Sequence, residues 1–138
     1  MTKIIKSKVD KEKILHIYMD KSSFNNRRVD LVDPNQFLQV AALKLNKKKF
    51  ISHAHNWRNN KNEKFIAQEA WIVIQGKVKI YYYDTDGELL ETTILNQGDC
   101  TITLEGGHNY EVLEDDTFVY EVKVGPYEGQ KIDKFFLK

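Results

Sequence analysis

The stretch EAWIVIQGKVKIYYYDTDGELLETTILNQGDCTITL, residues 69–104, decides the fold. It divides into four short runs, EAWIVI, KVKIYYY, LLETTIL and CTITL, each rich in β-branched and aromatic side chains. Their period is two, the period of a strand with one buried face. DTDG at 84–87 and NQGD at 96–99 separate runs with residues that favour turns. Outward from this stretch the pattern continues. FLQVAALKL lies upstream, and NYEVL and FVYEVKV lie downstream, set off by EGG at 105–107 and EDD at 114–116. Seven short strands at such close spacing predict an all-β chain, an antiparallel sandwich or barrel of the jelly-roll type.

Upstream of Phe37 the period differs. In DKEKILHIYMD, residues 10–20, Ile14, Ile17 and Tyr18 recur at three- and four-residue spacing behind Asp10. That spacing predicts a short amphipathic helix with Asp10 as its N-cap. The expected organisation is one structural domain: residues 1–34 a helix and lead-in segment, residues 35–138 the barrel and a C-terminal tail. No internal repeat or low-complexity linker divides it.

Composition narrows the function classes. The chain is 41% hydrophobic and 30% charged, with a formal net charge of +1, which gives no general attraction to nucleic acid or anionic membranes. The densest basic cluster, KLNKKK at 44–49, is read as blunting the end of an edge strand. A single cysteine, Cys100, excludes an intrachain disulfide framework. On the alternating pattern it shares a face with Ile102 and Leu104, as a small buried hydrophobe would. The opening MTKIIKSKVDKEK has no apolar core of signal-peptide length, and no run reaches the roughly 20 apolar residues of a membrane span. The expected location is the cytoplasm.

A chemical constellation stands out against this background. His53 and His55 in HAH project to one side of a strand about 6.6 Å apart, so both imidazoles reach one ion. Glu69 has the same parity as Trp71 and Val73, which places a carboxylate on an apolar interior face. That position is costly unless the charge is paired or coordinated. Fifty-odd residues after HAH, the glycine pair Gly106–Gly107 lets the chain turn and delivers His108 at the head of a further strand. Together these residues predict one divalent metal ion held by His53, His55, Glu69 and His108. Arg28 can fork onto a phosphate or carboxylate, and Trp71 and Tyr110 are core aromatics that also become candidates for a ligand-facing wall.

These residues carry a resemblance. HAH at 53–55, Glu69 followed by Gly76, and Gly98-Asp99 leading to His108 resemble the two motif blocks of the cupin superfamily. The resemblance implies a double-stranded β-helix barrel in which two histidines and a glutamate of the first block and a histidine of the second bind a divalent metal (Fe, Mn, Ni or Zn). Two departures are plain. Thirteen residues separate His55 from Glu69, where the common motif has three or four, which implies a longer loop over the mouth of the site. The usual proline before the last histidine is replaced by Leu104-Glu105-Gly106-Gly107.

A narrower likeness runs along most of the chain. NNRRVDLVDPNQFLQVAALKLNKKKFISHAH, YYYDTDGELLETTIL and YEVKVGPYEGQKIDKFF are similar to WbuC-type cupin-fold metalloproteins, whose genes sit typically among those for surface polysaccharides. That likeness implies a small-molecule ligand of the saccharide class. The 16 aromatic residues and the way cupin-like barrels usually pair lead to the expectation of a homodimer, and the near-neutral charge to that of no nucleic-acid or membrane partner. Three functions remain open on these residues. One is a metal-dependent enzyme, an isomerase, epimerase or oxygenase. The second is a metal-free sugar-nucleotide ketoisomerase or epimerase with His53 and His55 as acid and base. The third is a non-catalytic saccharide-binding module.

Overall fold

The computed structural model describes residues 2–24, 27–55, 57–60, 63–126 and 133–137. Two sheets face each other and enclose the core. The first holds β3 (Arg28–Asp30), β4 (Leu38–Leu45), β9 (Glu69–Gln75), β12 (Cys100–Thr103) and β14 (Thr117–Val124) in the order β12-β9-β14-β4-β3. The second holds β6 (His53–His55), β10 (Val78–Tyr83), β11 (Leu89–Leu95), β13 (Gly107–Val112) and β15 (Lys134–Phe136) in the order β11-β10-β13-β6-β15. The two-residue strand β5 (Lys48–Lys49) also pairs with β13. Every pairing is antiparallel, and from β9 to β14 the chain passes repeatedly between the sheets.

Alternation builds the interior. Along β9 the odd residues Glu69, Trp71 and Val73 are buried, and along β10 Val78 and Ile80 are fully enclosed. Trp71, Val73, Val78 and Ile80 form the main core with Leu43, Leu95, Val112 and Val119. A second, smaller cluster lies around Phe24, Ala42 and Phe118, where the Phe24 and Phe118 rings meet edge to face at 5.2 Å. It ties the segment around Phe24 to the barrel. The predicted runs from Phe37 to Val124 all fall on strands, with the turns at 84–87, 96–99 and 114–116 where the sequence puts them.

Three expectations are corrected. Residues 10–20 are not a helix: Ile14–Met19 forms β2, paired with β1 (Thr2–Lys6) in a hairpin of its own. Helical spacing here coincides with β-branched residues, and TKIIK upstream offers a partner, pairing Ile4 with Ile17. Asp10, expected as a helix cap, lies in the hairpin turn. There its backbone N–H donates to Ser7 Oγ at 3.0 Å, and its carbonyl accepts from Lys13.

The long connection after His55 is not an open loop, since β7 (Trp57–Asn60) and β8 (Glu63–Ile66) pair as a second hairpin. Cys100 shares parity with Ile102 and Leu104 as expected, but that face is exposed. Its neighbours Thr101 and Thr103 turn inward instead, because the interior at this end is polar: Tyr82 meets Thr101 Oγ1 at 2.8 Å, and His108 meets Thr103 Oγ1 at 2.8 Å.

Candidate metal centre

His53 and His55 sit on β6 and His108 is the second residue of β13. The β6–β13 register sets His108 directly opposite His53, so their side chains share the inner face. Glu69 opens β9 on the facing sheet. The turn before His108 depends on its glycines. Gly106 has φ +90°, and a Cβ there would lie 2.6 Å from the Tyr83 carbonyl oxygen. A Cβ at Gly107 would lie 3.0 Å from the carbonyl oxygen of His53. Only residues without a side chain let β13 close on β6 at this point.

The four side chains converge. All are buried, and one ligand atom from each lies within 4.8 Å of every other. His108 Nε2 is 3.0 Å from His53 Nε2, and His55 Nε2 is 2.9 Å from Glu69 Oε2. The three imidazole rings stand nearly perpendicular in pairs, with interplanar angles of 82–86°.

What lies behind the rings fixes their orientation. His53 Nδ1 donates to the Ile51 carbonyl at 3.1 Å, so its Nε2 carries a lone pair toward the centre. His108 Nδ1 is engaged by Thr103 Oγ1 at 2.8 Å, and His55 Nδ1 lies 3.2 Å from Asp133 Oδ2. His53 and His108 thus present Nε2 inward with Nδ1 hydrogen-bonded from outside, the arrangement metal-ligating histidines adopt. Asp133 stands behind His55 at ion-pair distance, and neither His55 ring nitrogen makes a hydrogen bond among the described residues.

The fit to a cation rests on the inward atoms. His55 Nε2 is near Glu69 yet lies off the directions in which an N–H donates, and it has no hydrogen-bond partner. With Nδ1 of His108 donating to Thr103, two Nε2 lone pairs face one another. An ion between these atoms satisfies them all, and three imidazoles with one carboxylate suit a first-row divalent ion and leave positions open on it.

The electrostatics are divided. Burial, helped by Lys134, lowers the His53 pKa to about 4, and burial lowers that of His108 to about 3. Burial opposes charge on His55 too, but Asp133 and Glu69 outweigh it and raise its pKa to about 9. Burial would push Glu69 up, yet His108 and His55 hold its carboxyl well below the usual range.

A cavity of about 330 Å³ adjoins the centre, with His53, His55 and Glu69 in its wall. Arg28, Trp71 and Tyr110 line it as well. Trp71 and Tyr110 stack at 3.7 Å with an interplanar angle of 3° and belong to the core at the same time. The Arg28 fork is engaged within the chain: Nη2 donates to Glu121 Oε1 at 3.0 Å and Nε to Asp30 Oδ1 at 3.1 Å. Glu121 Oε2 in turn accepts from Trp71 Nε1 at 3.0 Å.

Sequence reading missed Thr103, Glu121, Lys123, Asp133 and Lys134. The signal for Glu121 and Lys123 was their parity with Val119 on β14. Asp133 and Lys134 belong to the tail YEVKVGPYEGQKIDKFF, of which residues 127–132 lie outside the described residues.

No family model matches the sequence, and no curated protein matches it. Solved structures do. KdgF from Halomonas sp. superposes with TM-score 0.55 at 18% identity, over 73% of this chain and 80% of that one. A conserved protein with a double-stranded β-helix domain from Klebsiella pneumoniae gives 0.54 at 17%, over 83% and 88%. The capsular polysaccharide assembling protein CapF from Staphylococcus aureus gives 0.63 at 17%, over 83% of this chain but 31% of the longer protein. This is the double-stranded β-helix, or cupin, fold. At these identities the likeness extends to the fold, and the chemistry must be argued from this chain's own residues.

Proposed function

We propose that this cupin-fold chain binds one divalent metal ion through His53, His55, Glu69 and His108 and takes a saccharide in the adjoining cavity. The observation that carries the reading is the convergence of four buried donors, with the outer nitrogens of His53 and His108 hydrogen-bonded to Ile51 and Thr103 and that of His55 facing Asp133. Burying three imidazoles and a carboxylate in contact is costly without an ion to gather them. The bound ion would supply a Lewis acid for a hydroxyl or carbonyl of the ligand. The chain's residues orient that ligand and exclude water. At about 330 Å³ the cavity is near the lower end of ligand sites, sized for a single sugar ring. The stacked Trp71–Tyr110 pair gives it a flat apolar wall.

Surface-polysaccharide assembly is the setting we favour, on the likeness to WbuC-type cupins. The sequence likeness supports it, as does a fold neighbour named as a capsular polysaccharide assembling protein. We place the protein in the cytoplasm; no helix among the described residues is long and apolar enough to cross a membrane. We also propose a homodimer. Among the described residues the β1–β2 hairpin pairs with no other strand, and it exposes Ile4, Ile14, Leu15 and Tyr18; an isolated hairpin is marginal in water.

Elemental analysis of protein purified without chelator tests the reading; near one equivalent of a first-row metal is expected. A folded protein without metal that regains none on dialysis ends it. A second reading, metal-free acid–base chemistry, then moves ahead: His53 and His55 stand on one strand face with ring centroids 5.4 Å apart, in surroundings that lower the pKa of one to about 4 and raise that of the other to about 9.

A further inference from the structure

The charged groups around the cavity pair off unevenly. Arg28 is engaged by Asp30 and Glu121, Lys123 lies 3.3 Å from Asp133, and His55 lies 2.9 Å from Glu69. Lys134 also lines the cavity, and its side chain makes no ion pair or hydrogen bond among the described residues. Its ammonium lies over the Phe136 ring at 5.8 Å, and Glu69, Asp133 and Glu121 attract it from beyond ion-pair distance. The side chain points inward for a structural reason. The β15–β6 register sets Lys134 opposite His55, so the two share the face that carries the centre.

Lys134 is half-buried in the cavity wall, so its charge is poorly solvated where it stands. A half-buried ammonium beside a cavity, opposite a histidine of the centre, is a counter-ion site for the ligand. The centre itself adds to this field, since one carboxylate does not neutralise a divalent ion.

Resting on the reading of the cavity as a saccharide site, we propose that its ligand is acidic: a sugar acid whose carboxylate pairs with Lys134 while a hydroxyl faces the His53–His55–Glu69–His108 centre. Lys134 is then the residue that sets acid over neutral sugar. A charge-assisted hydrogen bond to a carboxylate in such a place is worth about tenfold or more in affinity.

The test is a titration of the full chain, as purified, with glucuronate and with glucose, followed by calorimetry and by Trp71-dependent fluorescence. Elemental analysis is run on the same samples. Wild-type protein is expected to bind glucuronate about tenfold or more tighter than glucose. Lys134→Met should abolish that preference and Lys134→Arg retain it, with thermal melts showing both variants folded and metal content unchanged in both. A wild type without the preference, or a preference that survives in Lys134→Met, overturns the proposal. Metal content is a separate readout. A protein that holds no ion but still loses its acid preference in Lys134→Met keeps the Lys134 assignment and ends the metal reading.

Discussion

The inner face of this barrel changes character along its strands. On β9 it runs from Glu69 through Trp71 to Val73, on β13 from His108 through Tyr110 to Val112, and on β14 from Lys123 through Glu121 to Val119. One end is a dry aliphatic cluster of Val73, Val78, Ile80, Val112 and Val119, each essentially without exposure. The other gathers three histidines and their carboxylates. Trp71 and Tyr110, stacked on one another, form the boundary. The same strands therefore carry two devices. Burial at the aliphatic end stabilises the fold, and the charged end withdraws part of that stability to hold reactive groups in contact.

The largest effects should separate the ends outright. His55→Ala removes a donor at the charged end and is expected to abolish stoichiometric metal binding, measured by elemental analysis, while leaving a folded protein. Glu69→Gln should weaken binding less, because an amide oxygen still coordinates. Ile80→Ala at the aliphatic end should do the reverse: about 2–5 kcal/mol less stable in urea unfolding, with metal content per folded molecule unchanged. If Ile80→Ala loses the metal at temperatures where it is folded, the two ends are not separable.

Asp133→Asn sharpens the comparison by one shell. Asp133 touches His55 from behind at 3.2 Å and no other of the four proposed ligands in ion-pair range. Replacing the carboxylate should cost about 10–100-fold in metal affinity with the fold intact. An unchanged affinity would mean that His55 is oriented by its strand alone.

How much of this was legible beforehand follows from the same division. Alternation reports which residues face inward, so the strands from Phe37 to Val124 and the shared face of Glu69, Trp71 and Val73 could be read from the sequence. Cys100 shows the limit. Parity put it with Ile102 and Leu104, and hydrophobicity then chose the wrong face, because at the charged end it is threonines that turn inward to meet Tyr82 and His108. The N-terminal hairpin failed for a different reason: three apolar residues at helical spacing carry no information about a partner strand, and Ile4 opposite Ile17 is a pairing across the turn. Asp133 behind His55 depends on a strand some 80 residues downstream, a contact no local pattern encodes.

A smaller effect concerns pH. In protein stripped of metal, His53 and His108 titrate near 4 and 3 when folded but near their ordinary 6.5 when unfolded. Between those values the unfolded chain binds more protons, so stability falls as pH drops from 6.5 toward 4. His55 has the opposite sign: raised to about 9, it contributes stability below 6.5 that is lost as pH rises toward 9. Thermal melts in chelator should therefore peak near pH 6.5, and a loaded ion should flatten the alkaline arm. A melting temperature that climbs steadily from pH 5 to pH 9 would contradict the division of the histidines.

The smallest effect is expected at Cys100, and it tests the boundary from outside. The residue lies on β12 beside β9, opposite Ile72, with its side chain on the outer surface. Thr101, one residue on, faces the interior and meets Tyr82. Cys100→Ser exchanges one small exposed group for another and should shift stability by no more than about 0.5 kcal/mol, with metal content unchanged. The native thiol should react with a thiol reagent at close to the rate of an unfolded control, because it is exposed. Thr101→Val, one position away, removes a buried hydroxyl partner of Tyr82 and should cost about 1–3 kcal/mol. Should the cysteine react slowly and its substitution cost as much as Thr101→Val, β12 would have to present its other face to the core.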